Sequence, residues 1–460
     1  MNDFALTPLW TDWMIWGLIA SFAYLGVLVR RSRQVAQQWM RIFESKLAMI
    51  SAMILCIYLL IALLDSIHFQ TTSAQQMTVH QSVLDKVFSH LAVGQERTYS
   101  APFASTEHTK SLVVNQAGEM QQLRLPLKHI RQDADFSMIG QTLSAFLFAS
   151  VLSGFVVGWH LLWRSRVHQC PFKDWLNQVL LGKTRLPWRT AYLTFWGLLT
   201  LFCWLWVMSH SVHVLGTDKV GSDVLYESMK SIRTGVLIGV LTTLVMLPLA
   251  LFLGISAGLF KGWVDDVIQY IYTTLNSIPG VLLIAAAVLV MQVILSNHPD
   301  WFSSTEDRAD IRLMFLIFIL GLTSWTGLCR LLRAETLKLS AVDYVTAAKA
   351  FGVSRMTIIR RHILPNVMHI VLIAVVLDFS GLVLAEAVLS YVGVGVDPTM
   401  HSWGNMINQA RLEMAREPMV WWSLFSAFIF MFVLVLAANL FSDRVQAVLD
   451  PRNQSDQLTR

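Results

Sequence analysis

Two carboxyl groups interrupt a long apolar stretch in the last quarter of the chain. Asp378 and Glu386 both fall within residues 368–392, which contain no other Asp, Glu, Lys or Arg. Eight residues along a helix turn through about 80°, so the two side chains lie on roughly the same side. Ionisable groups at membrane depth serve transport or form hydrogen bonds between helices, because an unpaired charge is costly there. Both roles are open for Asp378, and for Glu386 we favour helix packing.

Two aspartates could bind a metal, but their setting favours a turn. Asp218 and Asp223 lie in the segment Leu215-Gly-Thr-Asp-Lys-Val-Gly-Ser-Asp223, where Gly216 and Gly221 permit tight turns. Aspartates in turns commonly accept hydrogen bonds from backbone amides, and we prefer that role to metal binding.

The other metal-binding residue types are too scattered to form a site. His401 lies in residues 396–418 near Trp403 without a second ligand close by, so a nickel site there is the weaker interpretation. The four cysteines form no CxxC pair, so we predict neither a zinc site nor a disulfide. They are Cys56, Cys170, Cys203 and Cys329.

One tripeptide, Gly182-Lys183-Thr184, is similar to the end of a phosphate-binding loop. The first glycine of that motif would fall at Asn177, and no buried strand is predicted before it. The sequence therefore predicts that this chain does not hydrolyse ATP itself.

The groups described above are positioned by apolar stretches that are long enough to cross a membrane. The chain of 460 residues is 55% hydrophobic and 14% charged, with a mean hydropathy of +0.54, whereas a soluble protein carries about 25% charged residues. Nine stretches reach about 20 residues, the length of a spanning helix. They are residues 12–29, 47–64, 139–162, 190–208, 231–259, 271–295, 311–330, 368–392 and 420–440. The sequence therefore predicts an all-α polytopic membrane protein.

A Pro-Gly pair, Pro279-Gly280, interrupts the sixth stretch. Broken helices often line transport sites, but neighbouring helices also tolerate a plain kink. We therefore retain Pro279 as a candidate pathway or packing residue beside Asp378 and Glu386.

Basic residues predict the orientation, because Lys and Arg concentrate in cytoplasmic loops. No Lys or Arg precedes the first stretch, whereas Arg30, Arg31 and Arg33 follow it, as expected for a retained span rather than a cleaved signal peptide. Residues 163–189 and 331–367 each contain six Lys or Arg. Placing these segments inside puts the N-terminus outside and the C-terminus in the cytoplasm. The net charge of +5 then reflects topology and does not indicate nucleic-acid binding.

The cytoplasmic segment 331–367 has the pattern of a helix–turn–helix. Ser340 can cap a first helix with Asp343 at its third position, as in a capping box, and Gly352 suits a left-handed helix end. One face of this helix, by its i, i+3, i+4 and i+7 spacing, carries Tyr344, Ala347, Ala348 and Phe351.

A second short helix is predicted from Ser354, limited by Pro365. Such a knob between two membrane spans suggests that another protein docks on it. Arg355, Arg360 and Arg361 would also suit a connector lying on lipid headgroups, and both roles can coexist.

This segment resembles the EAA loop of the membrane subunits of ABC importers. The matching positions are Ala347, Ala348, Gly352, Leu364 and Pro365. Thr346 stands where the family usually has Glu, so a salt link from that position is not expected. The run His362-Ile-Leu-Pro-Asn366 is typical of the dipeptide, oligopeptide and nickel branch.

Two further segments match that branch in the same order along the chain. Leu215–Asp223 has Ser222 where the branch usually has Arg, and residues 384–395 read LAEAVLSYVGVG. The resemblance covers residues 190–452, and it implies a type I ABC-importer transmembrane core preceded by about three additional spans.

The apolar stretches and basic residues predict how residues 1–189 are divided, and the resemblance implies the division of the rest. A partly ordered insert is favoured over a specific binding domain for residues 65–138. The expected segments are 1–64 with the N-terminal extra spans, 65–138 as an extracytoplasmic and partly ordered insert, 139–189 with the third span and a basic cytoplasmic linker, 190–452 as the permease core with its coupling loop 331–367, and 453–460 as a cytoplasmic tail. The residues expected to couple to an ATPase are Asp343, Tyr344, Ala347, Ala348, Phe351, Gly352, Leu364 and Pro365.

The implied function is to form half of a pathway across the bacterial inner membrane for peptides, or for a related small solute such as nickel. The implied partners are a second permease subunit, two ATP-binding ABC subunits, an extracytoplasmic substrate-binding protein and the lipid bilayer, without nucleic acid. ATP and Mg²⁺ would be used by the partner ATPases, and this chain would hold no cofactor or metal.

Two other functions fit a chain of this class. An ion-gradient-driven secondary transporter would require a companion base or a chain of acids beside Asp378 and Glu386, together with an inverted repeat, and the sequence shows none of these. A membrane scaffold that transports nothing is the second alternative, and association with an ATPase would distinguish it from an importer.

Overall fold

The structure, a computed structural model, is largely helical and describes residues 5–6, 8–31, 33–72, 78–92, 95–114, 120–129, 137–167, 169–302 and 304–449. Its helices are α1 (Trp10–Arg31), α2 (Arg33–Phe43), α3 (Lys46–Asp65), α4 (Val83–Val87), α5 (Ser89–Ala92), α6 (Met138–Val167), α7 (Phe172–Leu180), α8 (Trp188–Ser209), α9 (Val224–Phe260), α10 (Trp263–Ser277), α11 (Gly280–Asn297), α12 (Thr305–Ser340), α13 (Asp343–Ala350), α14 (Arg355–Ile358), α15 (Leu364–Tyr391), α16 (Trp403–Glu413) and α17 (Trp422–Leu449). The strands are β1 (Ala5–Leu6), β2 (His68–Thr72), β3 (Thr78–Ser82), β4 (Ser111–Val114) and β5 (Met120–Leu123).

Eight helices among the described residues are long and apolar enough to cross a membrane. They are Lys46–Asp65, Met138–Val167, Trp188–Ser209, Val224–Phe260, Gly280–Asn297, Thr305–Ser340, Ile370–Tyr391 and Trp422–Val448. Each of the last eight predicted stretches overlaps one of these helices, which confirms the polytopic all-α class. The first predicted stretch, 12–29, lies in α1, which is not among the eight, so its crossing of the membrane stays a prediction.

The chain divides into two compact units, one made of residues 1–8, 22–233 and 401–441, and the other of residues 9–21, 234–400 and 442–460. In the first unit, the strands belong to the insert 65–138 and to the segment before α1. Strands β1, β2 and β3 form an antiparallel sheet in that order, and β4 pairs with β5.

The insert packs against the core of the first unit through its short helices. Leu84, Phe88 and Leu91 are buried in one apolar cluster. The same cluster contains Met208, in the last turn of α8, and Val212, just after that helix. Burying large side chains stabilises such a contact by about 1.5–3 kcal/mol each. The described part of the insert is therefore folded onto the helices beside it.

An ion pair joins the insert to the first turns of α9. The Lys230 ammonium lies 2.8 Å from Asp85 Oδ1, and the Tyr226 hydroxyl donates to the same oxygen at 2.7 Å. Burial raises the pKa of Asp85, but the charge of Lys230 and its hydrogen bond outweigh burial, so the pKa is lowered overall. Asp85 therefore remains a carboxylate at neutral pH.

In the second unit, α9 and α12 approach closely at two glycines. A Cβ on Gly254 would lie 2.9 Å from the Cys329 carbonyl oxygen, and one on Gly258 would lie 2.9 Å from the Arg333 carbonyl oxygen. Both distances are shorter than a normal contact, so only glycine lets the two backbones come so near, as is common between membrane helices.

The sixth predicted stretch, 271–295, is two helices and not one kinked span. Helix α10 ends at Ser277, Ile278 is extended, and Pro279 precedes the first residue of α11. A residue before proline is pushed out of the helical region by the proline ring, and proline itself lacks the N–H that would continue the helix. The break predicted from Pro279 is confirmed, whereas the continuous span across it was wrong.

Candidate coupling site

The prediction that Ser340 caps the helix of the coupling loop was wrong. Ser340 is the last residue of α12, and its hydroxyl donates to the Leu337 carbonyl at 2.8 Å. Helix α13 begins at Asp343 with Val342 as its N-cap, without a side-chain cap. The Ser340 hydroxyl is therefore used inside the last turn of α12 and does not cap α13.

The end of α13 is the left-handed turn that Gly352 predicted. Gly352 has a φ of +74°, and its N–H donates to the Lys349 carbonyl at 3.0 Å. The Val353 N–H donates to the Ala348 carbonyl at 3.1 Å. These two bonds form a Schellman motif, which satisfies the last carbonyls of the helix. The turn to the second helix is thus defined by the backbone.

The inner side of the loop is anchored in the apolar core of the second unit. Val345 of α13 and Ile358 of α14 are fully buried there, together with Ile363 and Val367. Ala348 and Leu364 pack partly buried against the same cluster. The sequence analysis missed Val345 as the anchor of α13, although it is the one Val on a helix of mostly polar and small residues.

The outer side of the loop presents apolar side chains to solvent. Phe351 is 87% exposed, Met356 71% and Tyr344 44%, and Ala347 is also exposed. Ala348 lies half-buried, so it does not share the exposed face as predicted. The sequence analysis missed Met356 as a residue of the exposed side. Its apolar side chain in the first turn after Ser354 could have indicated this role.

Ser354 begins the second helix as predicted, because its hydroxyl accepts a hydrogen bond from the Thr357 N–H. The prediction that Pro365 limits this helix was wrong. Residues 359–363 form a π-helical turn, in which the Leu364 N–H bonds to the Ile359 carbonyl, and α15 follows without interruption. Such a turn shifts the register by one residue, so the chain remains helical into the membrane span.

Polar contacts also connect the loop and the neighbouring helices. The Arg333 guanidinium of α12 forms a two-pronged ion pair with Asp265 of α10, at 2.5 and 2.7 Å. The Lys349 ammonium donates to the Ser340 carbonyl at 3.3 Å, which ties α13 back to the end of α12. The hydrogen bonds from Arg333 lower the pKa of Asp265. The loop and the ends of these helices therefore form one firmly held body.

The two carboxyl groups of α15 have different surroundings. Glu386 is buried, and its Oε1 accepts a hydrogen bond from the Ser390 hydroxyl at 2.7 Å. The same Ser390 oxygen accepts from the Val396 N–H at 3.3 Å, so Glu386 helps hold the segment after α15. Asp378 is half-buried on the same helix. Roles in a pathway for Asp378, Glu386 and Pro279 stay predictions.

In the first unit, Asp218 and Asp223 hold backbone amides, as the turn pattern predicted. Asp218 Oδ1 accepts from the Val220 and Ser222 N–H groups at 3.0 and 2.7 Å. Asp223 Oδ1 accepts from Leu225 N–H at 2.8 Å. Burial raises the pKa of Asp218 to about 6. Among the described residues, no group of three or more His, Cys, Asp or Glu is placed to hold a metal ion.

Comparisons with known proteins identify the family. The sequence profile of the binding-protein-dependent transport system inner membrane component matches residues 250–455. The glutathione transport system permease protein GsiD of Pectobacterium atrosepticum is 30% identical over 245 residues, which cover 53% of this chain and 74% of that protein. The chain belongs to this family of inner membrane transport components. It is a multi-pass inner-membrane permease subunit of an ABC importer.

Other relatives of this permease are similar over the same extent. The oligopeptide transport system permease protein OppC of Mycobacterium tuberculosis is 31% identical over 53% of this chain and 77% of its own length. A solved chain of the MetNI methionine ABC transporter in an inward-facing conformation is 16% identical, with a TM-score of 0.38, over 49% of this permease and 97% of that chain. The family profile includes the coupling loop 331–367, α15 and α17.

Proposed function

We propose that this permease forms half of a translocation pathway for di- or oligopeptides and that α13 transmits the motion of an ATPase to it. A second permease subunit would supply the other half of the pathway. Two ATP-binding subunits would use ATP and Mg²⁺ on the cytoplasmic side, and a substrate-binding protein would deliver the peptide outside. This chain itself would hold no nucleotide.

The observation that carries the coupling role is the contrast between the two sides of the loop. Phe351 and Met356 are exposed apolar side chains on a loop whose inner side is fully buried. Exposed apolar residues next to a rigid backbone are typical of the central contacts of a protein interface. A groove on an ATPase could therefore push or pull the loop without deforming it.

The motion would pass directly into two membrane helices. Lys349 and the buried Val345 join α13 to α12, and the helical run from Arg355 to Tyr391 connects α14 with α15. Because helices are stiff along their axes, displacement of α13 would tilt both spans. Closure of the ATPases would then open the cavity towards the outside.

Peptides are the proposed cargo, because the relatives are named for oligopeptide, dipeptide and glutathione transport. Nickel or another small solute is the second candidate. We also propose that the N-terminus lies outside and the C-terminus inside, which places the six Lys and Arg of residues 331–367 in the cytoplasm.

The decisive experiment combines co-purification with uptake. The variant Gly352→Asp forces a side chain into a left-handed backbone conformation, at a cost of about 1–2 kcal/mol, and adds a charge beside Phe351. We expect it to remain in the membrane but to lose both the ATPase subunits on purification and the uptake of peptides.

The matched control is Gly393→Asp. Gly393 also has a positive φ, +86°, with open space around the position of a Cβ, and its N–H donates to the Ser390 carbonyl as that of Gly352 does to Lys349, but it follows α15. Its variant should retain ATPase association. Normal transport by Gly352→Asp, or equal losses in both variants, would argue against α13 as the coupling element, and absence of any ATPase from wild-type complexes would favour a scaffold.

A further inference from the structure

An arginine in the first unit is held on an aromatic ring without a carboxylate partner. The Arg164 guanidinium, in the last turn of α6, lies 5.0 Å from the ring centroid of Trp188, the first residue of α8. Its Nε is buried and has no hydrogen-bond partner, and within the described part of the chain no ion pair joins it to an acidic side chain. Placing a guanidinium over a ring restricts its orientation and leaves its N–H edge to donate to a carboxylate or a phosphate.

The position of this arginine is set by two membrane helices. Helices α6 and α8 are both long and apolar enough to span, and Arg164 and Trp188 stand where one ends and the other begins. Trp163, next to Arg164, is also largely exposed. Tryptophans at helix ends are typical of the boundary between hydrocarbon and headgroups. The unpaired guanidinium therefore lies at headgroup level.

The connection between the two helices has the same amphipathic character. Trp175 and Val179 of α7 are buried against Leu161 of α6, so α7 is firmly seated. At the end of α7, the side chains of Leu180 and Leu181 are 56% and 68% exposed. Of the exposed basic residues of this connection, Arg185 is paired with Glu44 at 2.8 Å. The others are Arg166, Lys173, Lys183 and Arg189.

Charge complementarity points to one occupant. Asp174 is the one acidic residue in the sequence of residues 163–189, against six Lys and Arg. Exposed leucines beside clustered basic residues, at the end of two spans, are typical of a surface that lies on anionic lipids. A partner protein would more often be met by a surface of mixed charge.

We propose that Arg164, stacked on Trp188, binds the phosphate group of an anionic phospholipid at the inner leaflet. The guanidinium would donate two parallel hydrogen bonds to the phosphate oxygens. Leu180 and Leu181 would insert at the boundary of the acyl chains, and the surrounding lysines and arginines would add a diffuse attraction. This site lies in the segment before the permease core and does not depend on the proposed cargo or coupling.

The test uses the full chain purified in detergent. Phosphatidylglycerol or phosphatidylcholine with the same acyl chains is added, and the thermal unfolding midpoint is recorded against lipid concentration. We expect phosphatidylglycerol to raise the midpoint of the wild type more than phosphatidylcholine does. Arg164→Gln should weaken the apparent affinity for phosphatidylglycerol about five- to tenfold, since a charge near the surface contributes about 1 kcal/mol and a bidentate bond adds to it.

Arg166→Gln is the matched control, because Arg166 lies on the same helix turn and is exposed. Arg166→Gln should keep nearly all of the wild-type affinity for phosphatidylglycerol. Arg164→Lys keeps the charge but loses the planar guanidinium, so its affinity should lie between those of the wild type and Arg164→Gln. Equal losses in Arg164→Gln and Arg166→Gln would mean a diffuse basic surface and overturn the site. Inorganic phosphate alone reproducing the shift would identify a free-anion site and also overturn it.

A second variant covers the case that Arg164→Gln does not fold. Trp188→Leu removes the stacking platform and keeps every charge, and native mass spectrometry then counts the retained phosphatidylglycerol. Fewer bound lipids than in the wild type are expected. Unchanged lipid retention together with loss of the ATPase subunits would show that a protein occupies the surface and would overturn the proposal.

Discussion

Val345 of α13 and Ile358 of α14 lie on either side of the turn at Gly352 and are both fully buried in one apolar cluster. Each short helix thus has its own anchor in the core of the second unit. Bending the loop at Gly352 would expose at least one of these side chains, which costs about 1.5–3 kcal/mol. A displacement applied at Phe351 would therefore be passed on to the helices behind it.

Truncating the exposed side of the loop should impair association and leave the fold intact. Phe351→Ala and Met356→Ala each remove a solvent-exposed apolar side chain. We expect ATPase affinity to fall about tenfold or more, while stability changes by less than about 0.5 kcal/mol. Affinity is measured by titrating purified ATPase against the permease in nanodiscs. Val345→Ala provides the contrast, with a stability loss of about 2 kcal/mol, and the reverse pattern would contradict the assignment of the two sides.

Acid should weaken the attachment of the insert. Burial, with the imidazoles of His210 and His129 nearby, lowers the pKa of His90 to about 4, although the charge of Asp223 opposes this shift. His90 Nε2 lies 2.9 Å from the Ser209 hydroxyl. An unfolded histidine titrates near about 6.5, so the unfolded state binds the proton more readily. The stability contribution is present above that pH and is lost as pH falls towards 4.

The pH effect is measured as the unfolding midpoint of the full chain between pH 7.5 and 4.5. His90→Asn keeps a polar side chain but cannot titrate, so its midpoint should fall less steeply over this range. Identical pH profiles for the variant and the wild type would rule out His90 as the responsible group.

Removing the charge of Asp85 should loosen the insert from α9. Asp85→Asn leaves the Lys230 ammonium, 15% exposed, without its nearest carboxylate. Since Asp65 remains 4.0 Å away, we expect a moderate loss of about 1–3 kcal/mol. Chemical unfolding of the purified chain provides the measurement. The exposed Asp300 supplies the control, and Asp300→Asn should be neutral; a neutral Asp85→Asn would mean that the ion pair does not hold the insert.

Two substitutions of Glu386 distinguish a packing role from a pathway role. Glu386→Gln keeps an acceptor for the Ser390 hydroxyl, so we expect peptide uptake to stay within about twofold of the wild type. Glu386→Ala leaves a cavity and an unpaired hydroxyl, and should cost about 2 kcal/mol or more of stability. Uptake and thermal stability are both recorded. A stable Glu386→Gln protein that no longer transports would establish that the charge itself serves the pathway.

The amino-acid sequence alone was sufficient to predict the class of fold, most of the membrane spans, the break at Pro279 and the turn at Gly352. These features depend on local properties, namely the length of apolar runs, the left-handed conformation that glycine tolerates and the absence of an N–H in Pro279. Local rules also predicted the amide-binding roles of Asp218 and Asp223. The family resemblance of residues 331–367 relied on the same kind of short, continuous pattern.

Tertiary packing decided what these rules could not. The close approach of α12 to α9 at Gly254 and Gly258, and the burial of Val345 in the apolar cluster beneath α13, depend on residues far apart in the chain. Likewise, Arg164 meets Trp188, and Asp85 meets Lys230, only because distant segments fold together. Such contacts arise from the simultaneous placement of several helices, and no short window of residues contains the information that specifies them.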